Sequence, residues 1–232
     1  MRPTRPCVLA ALAAAACVST SASAAELGFY VGFLYGDSSK QYALEEFDNL
    51  ARSFYNFIDY QPSQRAFAKG KDGESYGFLA GYRLTQHLAF EGGYVYLGKQ
   101  KYNEESSGVF IPGDGEDPIP ETWGVNFTSK TSGFMLSALG VLPISYSWEA
   151  YARAGVLIAS NTFDVFASNG QLAFRDDFNE SSTDLLAGVG ISVSLAEVYA
   201  IRAEYQRIFD AGHGDLGESD LDLITIGVTV SF

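Results

Sequence analysis

The stretch Asp222-Leu-Ile-Thr-Ile-Gly-Val-Thr-Val-Ser-Phe232 decides the fold. Side chains alternate across a strand, so Ile224, Ile226, Val228, Val230 and Phe232 share one face and Thr225, Gly227, Thr229 and Ser231 the other. A strand this apolar on one side needs either a core or lipid to cover it. Lipid outside and a polar lumen inside is the pattern of a closing strand in a transmembrane β-barrel. A single amphipathic strand does not make a barrel, so the rest of the chain has to supply others of the same kind.

Seven more segments do. Together with 220–232, the stretches 27–36, 74–84, 88–102, 126–142, 148–163, 183–195 and 198–210 alternate with a period of two. Each reaches about the 9–11 residues a tilted strand needs to cross a bilayer. The connections at 84–88, 142–148 and 195–198 are tight, and those at 37–73, 103–125, 164–182 and 211–219 are longer and polar. Short turns on the periplasmic side and long loops outside are the layout of an outer-membrane barrel, and an even strand number returns both ends to the periplasm. The sequence therefore predicts an all-β fold: a closed eight-stranded antiparallel up-and-down transmembrane β-barrel. Within the first long loop, Leu44, Phe47, Leu50, Ala51, Phe54, Tyr55 and Ile58 recur at helical spacing on one side. This predicts a short helix that caps the barrel mouth or lies on the outer leaflet.

Two rival readings fail on particular residues. Residues 185–201 are apolar enough for a membrane helix, but Gly188, Gly190, Ser192 and Ser194 fall at every second position, which is strand periodicity. A soluble lipid-binding cup would point its bulky apolar residues inward. Arg202, Glu204 and Gln206 lie opposite Tyr199, Ile201, Ala203 and Tyr205, and Glu91 lies opposite Phe90, Tyr94 and Tyr96; a soluble barrel of this size could not readily bury Arg202 and Glu204 or pack Gly188 and Gly190 against a small apolar ligand. Small and charged inside, large and apolar outside is the membrane arrangement.

The N-terminus agrees with export. Arg2 and Arg5 form a positive region, residues 8–18 are apolar and alanine-rich, and Ala22-Ser23-Ala24 fits a cleavage site. Residues 1–24 read as a signal peptide and 25–232 as the barrel domain, starting at Ala25 or Glu26. The apolar run is too short for a membrane anchor. Ala14-Ala-Ala-Cys17 lacks the large aliphatic residue a lipid-anchored cysteine calls for. Cys7 and Cys17 are the chain's two cysteines, so the exported part has neither disulfides nor thiol chemistry. Without the leader's two arginines, 13 basic residues face 28 acidic ones, a formal charge of −15. That excludes nucleic acid as a natural partner and a polybasic membrane-surface role.

No catalytic constellation stands out. His87 falls in a periplasmic turn and His213 in a loop, without a triad or metal-ligand neighbourhood. There is no Gly-x-Ser-x-Gly elbow. His213 with Asp210 and Asp215 is the nearest approach to a rim enzyme. Asp114, Glu116 and Asp117 read as a solvated acidic loop, with weak Ca²⁺ or lipopolysaccharide bridging as the sharper alternative, and Gly113 and Gly115 as turn glycines. No cofactor or metal is expected.

Three strands resemble those of the OmpA transmembrane-domain family. Leu88-Ala-Phe-Glu-Gly-Gly-Tyr-Val-Tyr-Leu-Gly98 resembles its third strand, Ala150-Tyr-Ala-Arg-Ala-Gly155 its fifth and Tyr199-Ala-Ile-Arg-Ala-Glu-Tyr-Gln206 its seventh. The resemblance implies a narrow barrel with a solid, hydrogen-bonded interior. It also implies that Glu91, Arg153, Arg202 and Glu204 meet across the lumen as a charge cluster of net zero. The pattern's lysine in the fourth strand is replaced near Leu139, so a gate that swaps a lysine between partners is not expected. The chain stops at the barrel, so the family's periplasmic peptidoglycan-binding domain is expected to be absent. The outward Val228, Val230 and Phe232 resemble the C-terminal assembly signal of outer-membrane proteins, implying the barrel-assembly machinery as a partner.

The function expected is a structural and surface-interaction barrel in the cell outer membrane, not an enzyme. Its partners would be outer-membrane lipid and lipopolysaccharide, with a possible surface ligand at the loops. The alternative is a narrow channel for small polar solutes or ions.

Overall fold

The computed structural model describes residues 27–40, 44–112, 116–211 and 219–232. Nine strands and one helix are present among them: β1 Gly28–Lys40, α1 Leu44–Phe57, β2 Tyr60–Asp72, β3 Glu74–Thr85, β4 Leu88–Phe110, β5 Ile119–Pro143, β6 Trp148–Ser168, β7 Ala173–Ser194, β8 Tyr199–Ala211 and β9 Ser219–Ser231. Pairing runs β1–β3–β4–β5–β6–β7–β8–β9 and closes where β1 pairs with β9, Val31 opposite Val230 and Tyr35 opposite Ile226. The ring is the expected eight-stranded antiparallel barrel. Closure leaves no strand edge within the lipid layer, where an unpaired backbone group would find no water.

The faces fall as the alternation requires. On β9, Thr225, Gly227 and Thr229 are buried while Ile224, Ile226 and Val228 are exposed. The outer wall carries registered aromatic neighbours: Phe33 on Phe78 with centroids 5.1 Å apart, and Tyr94 on Phe134 at 5.4 Å. Phe29 on Tyr82 at 4.6 Å lies towards the periplasmic end, and Tyr76 on Tyr96 at 5.0 Å towards the outer end. Among the described residues no helix is long and apolar enough to cross a membrane.

The long connections differ from the expectation. The regions read as loops at 103–125 and 164–182 are mostly strand: β4 and β5 continue to Phe110 and from Ile119, and β6 and β7 are joined by residues 169–172 alone. The ninth strand, β2, was not anticipated. It follows α1 and pairs with the outer part of β4, Arg65 opposite Ser106 and Phe67 opposite Glu104. β3 pairs with Leu88–Tyr96 of β4 and β2 with Lys99–Phe110, so the two flank β4 on either side of the Leu97–Gly98 irregularity.

One irregularity controls the outer half. In β4, Leu97 and Gly98 both oppose Thr131, and Gly98 has φ +86°. This β-bulge inserts one residue and reverses the facing of everything beyond it. Before it, Glu91, Val95 and Leu97 point inward; after it, Tyr102, Glu104 and Ser106 do.

α1 forms as its spacing predicts and caps the mouth. Ala51 and Tyr55, one turn apart, are buried against Tyr60, Tyr102, Trp123, Val125, Phe127 and Ala167, on the inner faces of the extended strands.

Candidate functional site: the lumen

The four sequence-predicted charged residues come together in the periplasmic half of the barrel. Each sits at an inward position on β4, β6 or β8, three to five residues from the periplasmic end of its strand. Glu91 takes Arg153 Nη2 on Oε2 and Arg202 Nη1 on Oε1, the latter at 2.7 Å. Glu204 takes Arg153 Nε at 2.5 Å and Arg202 Nη2 at 3.0 Å. Each acid thus touches both bases. Taking such charges out of water is costly unless every partner is supplied, and two tyrosines and a serine supply the rest. Tyr30 Oη donates to Glu91 at 2.7 Å, and Tyr151 Oη to Glu204 at 3.0 Å. Arg202 Nε donates to Tyr151 Oη at 2.9 Å, with its guanidinium 4.7 Å from that ring's centre. Arg153 Nη1 donates to Ser137 Oγ at 2.8 Å.

Sequence reasoning missed Tyr30, Tyr151 and Ser137 in this network. Tyr30 and Tyr151 sit at inward positions of β1 and β6, which the alternation would have given, but a tyrosine in a membrane strand reads first as a girdle residue. A second ion pair, Arg83 to Glu149 at 2.7 and 2.9 Å, closes the periplasmic mouth from β3 to β6. Between it and the four charges lies a small cavity of about 60 Å³, bordered by Ser192, Ala200 and Thr229. Gly190 is small because the Tyr151 ring occupies the space beside it: an added Cβ would come within 2.4 Å of that ring. Leu139, expected to replace a lysine, is buried opposite Arg153, in contact with apolar Ala89, Val141 and Tyr151.

Above the charges the lumen changes character, and here the expected small, charged interior is corrected. Val95, Leu97, Met135, Leu157, Ala159, Leu186, Ile208, Leu221 and Leu223 point inward from β4 to β9 and form one apolar cluster. The sequence hid this layer because those residues share the lipid face's chemistry and differ from it only in phase. Some polar groups remain at this depth, such as Thr131 donating to Asn161 at 2.6 Å and Ser182 to Asp184 at 2.9 Å.

The mouth carries a third set of contacts. Buried Glu104 accepts Arg65 Nε at 2.5 Å and Nη2 at 2.8 Å, Tyr55 Oη at 3.0 Å and Tyr102 Oη at 3.3 Å. Arg65 Nη1 also reaches Asp48 on α1 at 2.5 Å, which fastens the helix to β2. Burial, then the charge of Glu104, pushes the Tyr55 and Tyr102 hydroxyls well above the ordinary tyrosine range. Burial alone would raise the Asp48 carboxyl, but hydrogen bonds from Arg52 and Arg65 and the Arg65 charge outweigh it and hold it below its ordinary value.

The other sequence candidates lie elsewhere. His87 is in the β3–β4 turn, exposed, with Nδ1 3.1 Å from the Val141 carbonyl oxygen. His213, Asp215, Gly113, Asp114 and Gly115 fall outside the described residues, as does the Asp210 side chain; Glu116 and Asp117 are exposed coil. No group of acids, histidines and cysteines fit to hold a metal occurs among the described residues. Val228 and Phe232 are exposed on the outer wall, with Val230 partly covered between them.

A closed antiparallel barrel with a girdled apolar exterior and internally paired charges defines a bacterial outer-membrane β-barrel protein. The model of the OmpA-like transmembrane domain matches residues 24–232, and the chain belongs to that family. It is 27% identical to outer membrane protein A of Serratia marcescens over 165 residues, 70% of this chain and 40% of that protein. It is 26% identical to that of Yersinia pseudotuberculosis over 169 residues, 70% and 41% respectively. The chain therefore spans about two-fifths of the length of these curated relatives. Among solved structures it is similar to the attachment invasion locus protein Ail of Yersinia pestis, crystallised with the heparin analogue sucrose octasulfate, at 12% identity and a TM-score of 0.44, covering 89% of this chain and 100% of that one. Neisserial surface protein A gives 15% identity and a TM-score of 0.44, covering 88% and 97%. The protein resides in the outer membrane of the Gram-negative envelope.

Proposed function

We propose that this barrel is an anchor that displays a folded outer structure to the surroundings, and not a channel. The observation that carries the reading is the apolar cluster across the lumen at Val95, Met135, Leu157, Leu186 and Leu223. An ion passing it would shed most of its water, and the few polar groups at this depth, such as Thr131, Asn161, Ser182 and Asp184, are already engaged with one another. Eight strands leave an interior only wide enough for side chains in any case. The four-charge network below contributes rigidity and a unique packing. Above, β4–β7 and α1 form the displayed part, where a surface ligand would bind.

On this reading residues 1–24 are an export signal, and the outward Val228, Val230 and Phe232 engage the assembly machinery in the periplasm. The protein has no catalytic role. Planar-bilayer recording of the refolded chain tests the central point. We expect no steady openings. A stable ionic conductance from the unmodified chain would replace the anchor with a narrow pore.

A further inference from the structure

α1 ends in a way its own chemistry disfavours. Its last turn carries no basic residue, although the carbonyls at a helix C-terminus carry partial negative charge and favour a cation. Two residues beyond its end stands Asp59, an acid at the negative pole. Asp59 is also the one non-glycine residue with positive φ among the described residues, at +53°. Glycine, and sometimes asparagine, usually takes such a helix-closing position, without the charge. A local rule broken with no local gain is expected where a residue serves a site.

No neighbour offsets the charge. Other acids of the mouth are engaged: Asp48 by Arg52 and Arg65, Glu104 by Arg65, and Glu121 by Trp123 Nε1 at 2.8 Å and Asn169 Nδ2 at 3.1 Å. The Asp59 carboxylate has no ion pair or hydrogen bond among the described residues. The Asp59 backbone, by contrast, is fixed. Its N–H donates to the Asn56 carbonyl at 3.4 Å, and its carbonyl accepts the Ile111 N–H at 3.0 Å. The second bond ties the end of α1 to the end of β4 and holds a hollow between them.

The hollow measures about 310 Å³. Asp59, Asn56 and Gln61 line it and are exposed, so a carboxylate and two amides border one space. Tyr55 and Tyr60 are buried behind them, with hydroxyls already donated to Glu104 at 3.0 Å and to the Ser106 carbonyl at 2.9 Å. Ile111 and Pro112 add apolar surface. A single carboxylate is a poor metal site, since Ca²⁺ asks for roughly six to eight oxygens. Acceptors beside apolar and aromatic surface suit a long apolar stem that ends in a cation. A guanidinium fits better than an ammonium, because its planar fork matches a carboxylate and lies well on aromatic rings.

We propose that this hollow is a docking site for an arginine side chain of a partner protein. Asp59 takes the guanidinium, Asn56 and Gln61 flank it, and Ile111, Pro112 and the tyrosines cover its stem. The proposal deepens, and rests on, the reading of the outer structure as the part displayed to the surroundings.

The test titrates the chain, refolded in detergent, with the blocked peptide acetyl-Gly-Arg-Gly-amide while the side-chain amide NMR signals of Asn56 and Gln61 are followed. Binding should saturate and move both signals. The same peptide with citrulline, which keeps the shape and loses the charge, should bind about tenfold more weakly, the loss expected of one charge-assisted hydrogen bond. Asp59→Asn should show the same tenfold loss for the arginine peptide, while α1 resists proteolysis at least as well as before, since asparagine suits the left-handed position. Gln61→Ala leaves the helix end alone and should bind about fivefold more weakly, as for one neutral hydrogen bond; it decides the matter if Asp59→Asn loosens α1. Failure to saturate, equal binding of the citrulline peptide, or full affinity in these variants overturns the proposal. So does a response of the same signals to Ca²⁺ but not to the arginine peptide. A steady conductance in the bilayer recording would instead overturn the anchor reading, and the peptide titration does not depend on it.

Discussion

Glu91, Arg153, Arg202 and Glu204 fill the periplasmic half of the lumen with charge, whereas Val95, Met135, Leu157 and Leu223 fill the extracellular half with carbon. The two halves sit in the same cylinder with the same lipid around them. The charged half is tolerable because each acid meets both arginines and a tyrosine, so no buried ion lacks a partner. The apolar half depends mainly on filled volume, with a few internally paired polar groups such as Thr131–Asn161 and Ser182–Asp184 among the carbon. One half is therefore sensitive to the loss of a single atom pair, and the other to the loss of methylenes.

That contrast can be broken from the charged side first. Glu91→Ala strands Arg153 and Arg202, whose side chains are 0% and 5% exposed. Breaking a buried pair by removing one partner costs about 3–5 kcal/mol, and urea unfolding in detergent or lipid should register a loss of that order. The same experiment on Glu91→Ala, Arg202→Ala and the double variant should give a coupling of about 1 kcal/mol or more. Additive losses would mean the two do not act together. On the apolar side, Leu157→Ala removes a fully buried side chain and should cost about 3 kcal/mol through lost transfer energy and a cavity. A loss under about 1 kcal/mol would show a loosely packed layer.

Smaller effects belong to the mouth. Tyr55→Phe deletes the hydrogen bond to Glu104, worth about 1 kcal/mol; faster proteolysis within α1, with barrel unfolding unchanged, is the expected readout. The mouth should also loosen in alkali. The Tyr55 and Tyr102 hydroxyls titrate above their unfolded value of about 10, so the stability they lend is complete below that pH and is lost as pH rises through their raised values. Fluorescence of Trp123, packed in the same cluster, should change in that alkaline window. A change already complete by neutral pH would contradict the assignment.

How far the sequence could be read follows from what lies on each side of a strand. Where one face meets lipid and the other a polar or small-residue lumen, as in β8 with Tyr199, Ala203 and Tyr205 outside and Arg202, Glu204 and Gln206 inside, alternation is plain. Beyond the bilayer both faces of β4 and β7 carry polar residues, so 103–110 and 173–182 read as loop although they are strand. The alternation of Trp123, Val125 and Phe127 was the available clue to the extension of β5. The bulge at Gly98 was invisible because a lone glycine does not announce a change of phase. α1 was legible from its one-sided spacing, but β2, rich in Gln, Ala and Lys, was not. The charge cluster came from resemblance, and Arg83–Glu149 was missed because the two lie far apart in sequence and meet only when the ring closes.

On the anchor reading the lumen admits water at the periplasmic cavity and excludes it at the apolar layer above. Residues 25–232 contain no cysteine, so single cysteines can be placed at inward positions and exposed to a small charged thiol reagent in lipid. Ser192→Cys, beside the periplasmic cavity, should react, whereas Ala159→Cys, inside the apolar layer, should stay unmodified from either side of the membrane. Rapid modification at both positions would mean that water runs through the barrel and that the lumen is not closed by its apolar layer.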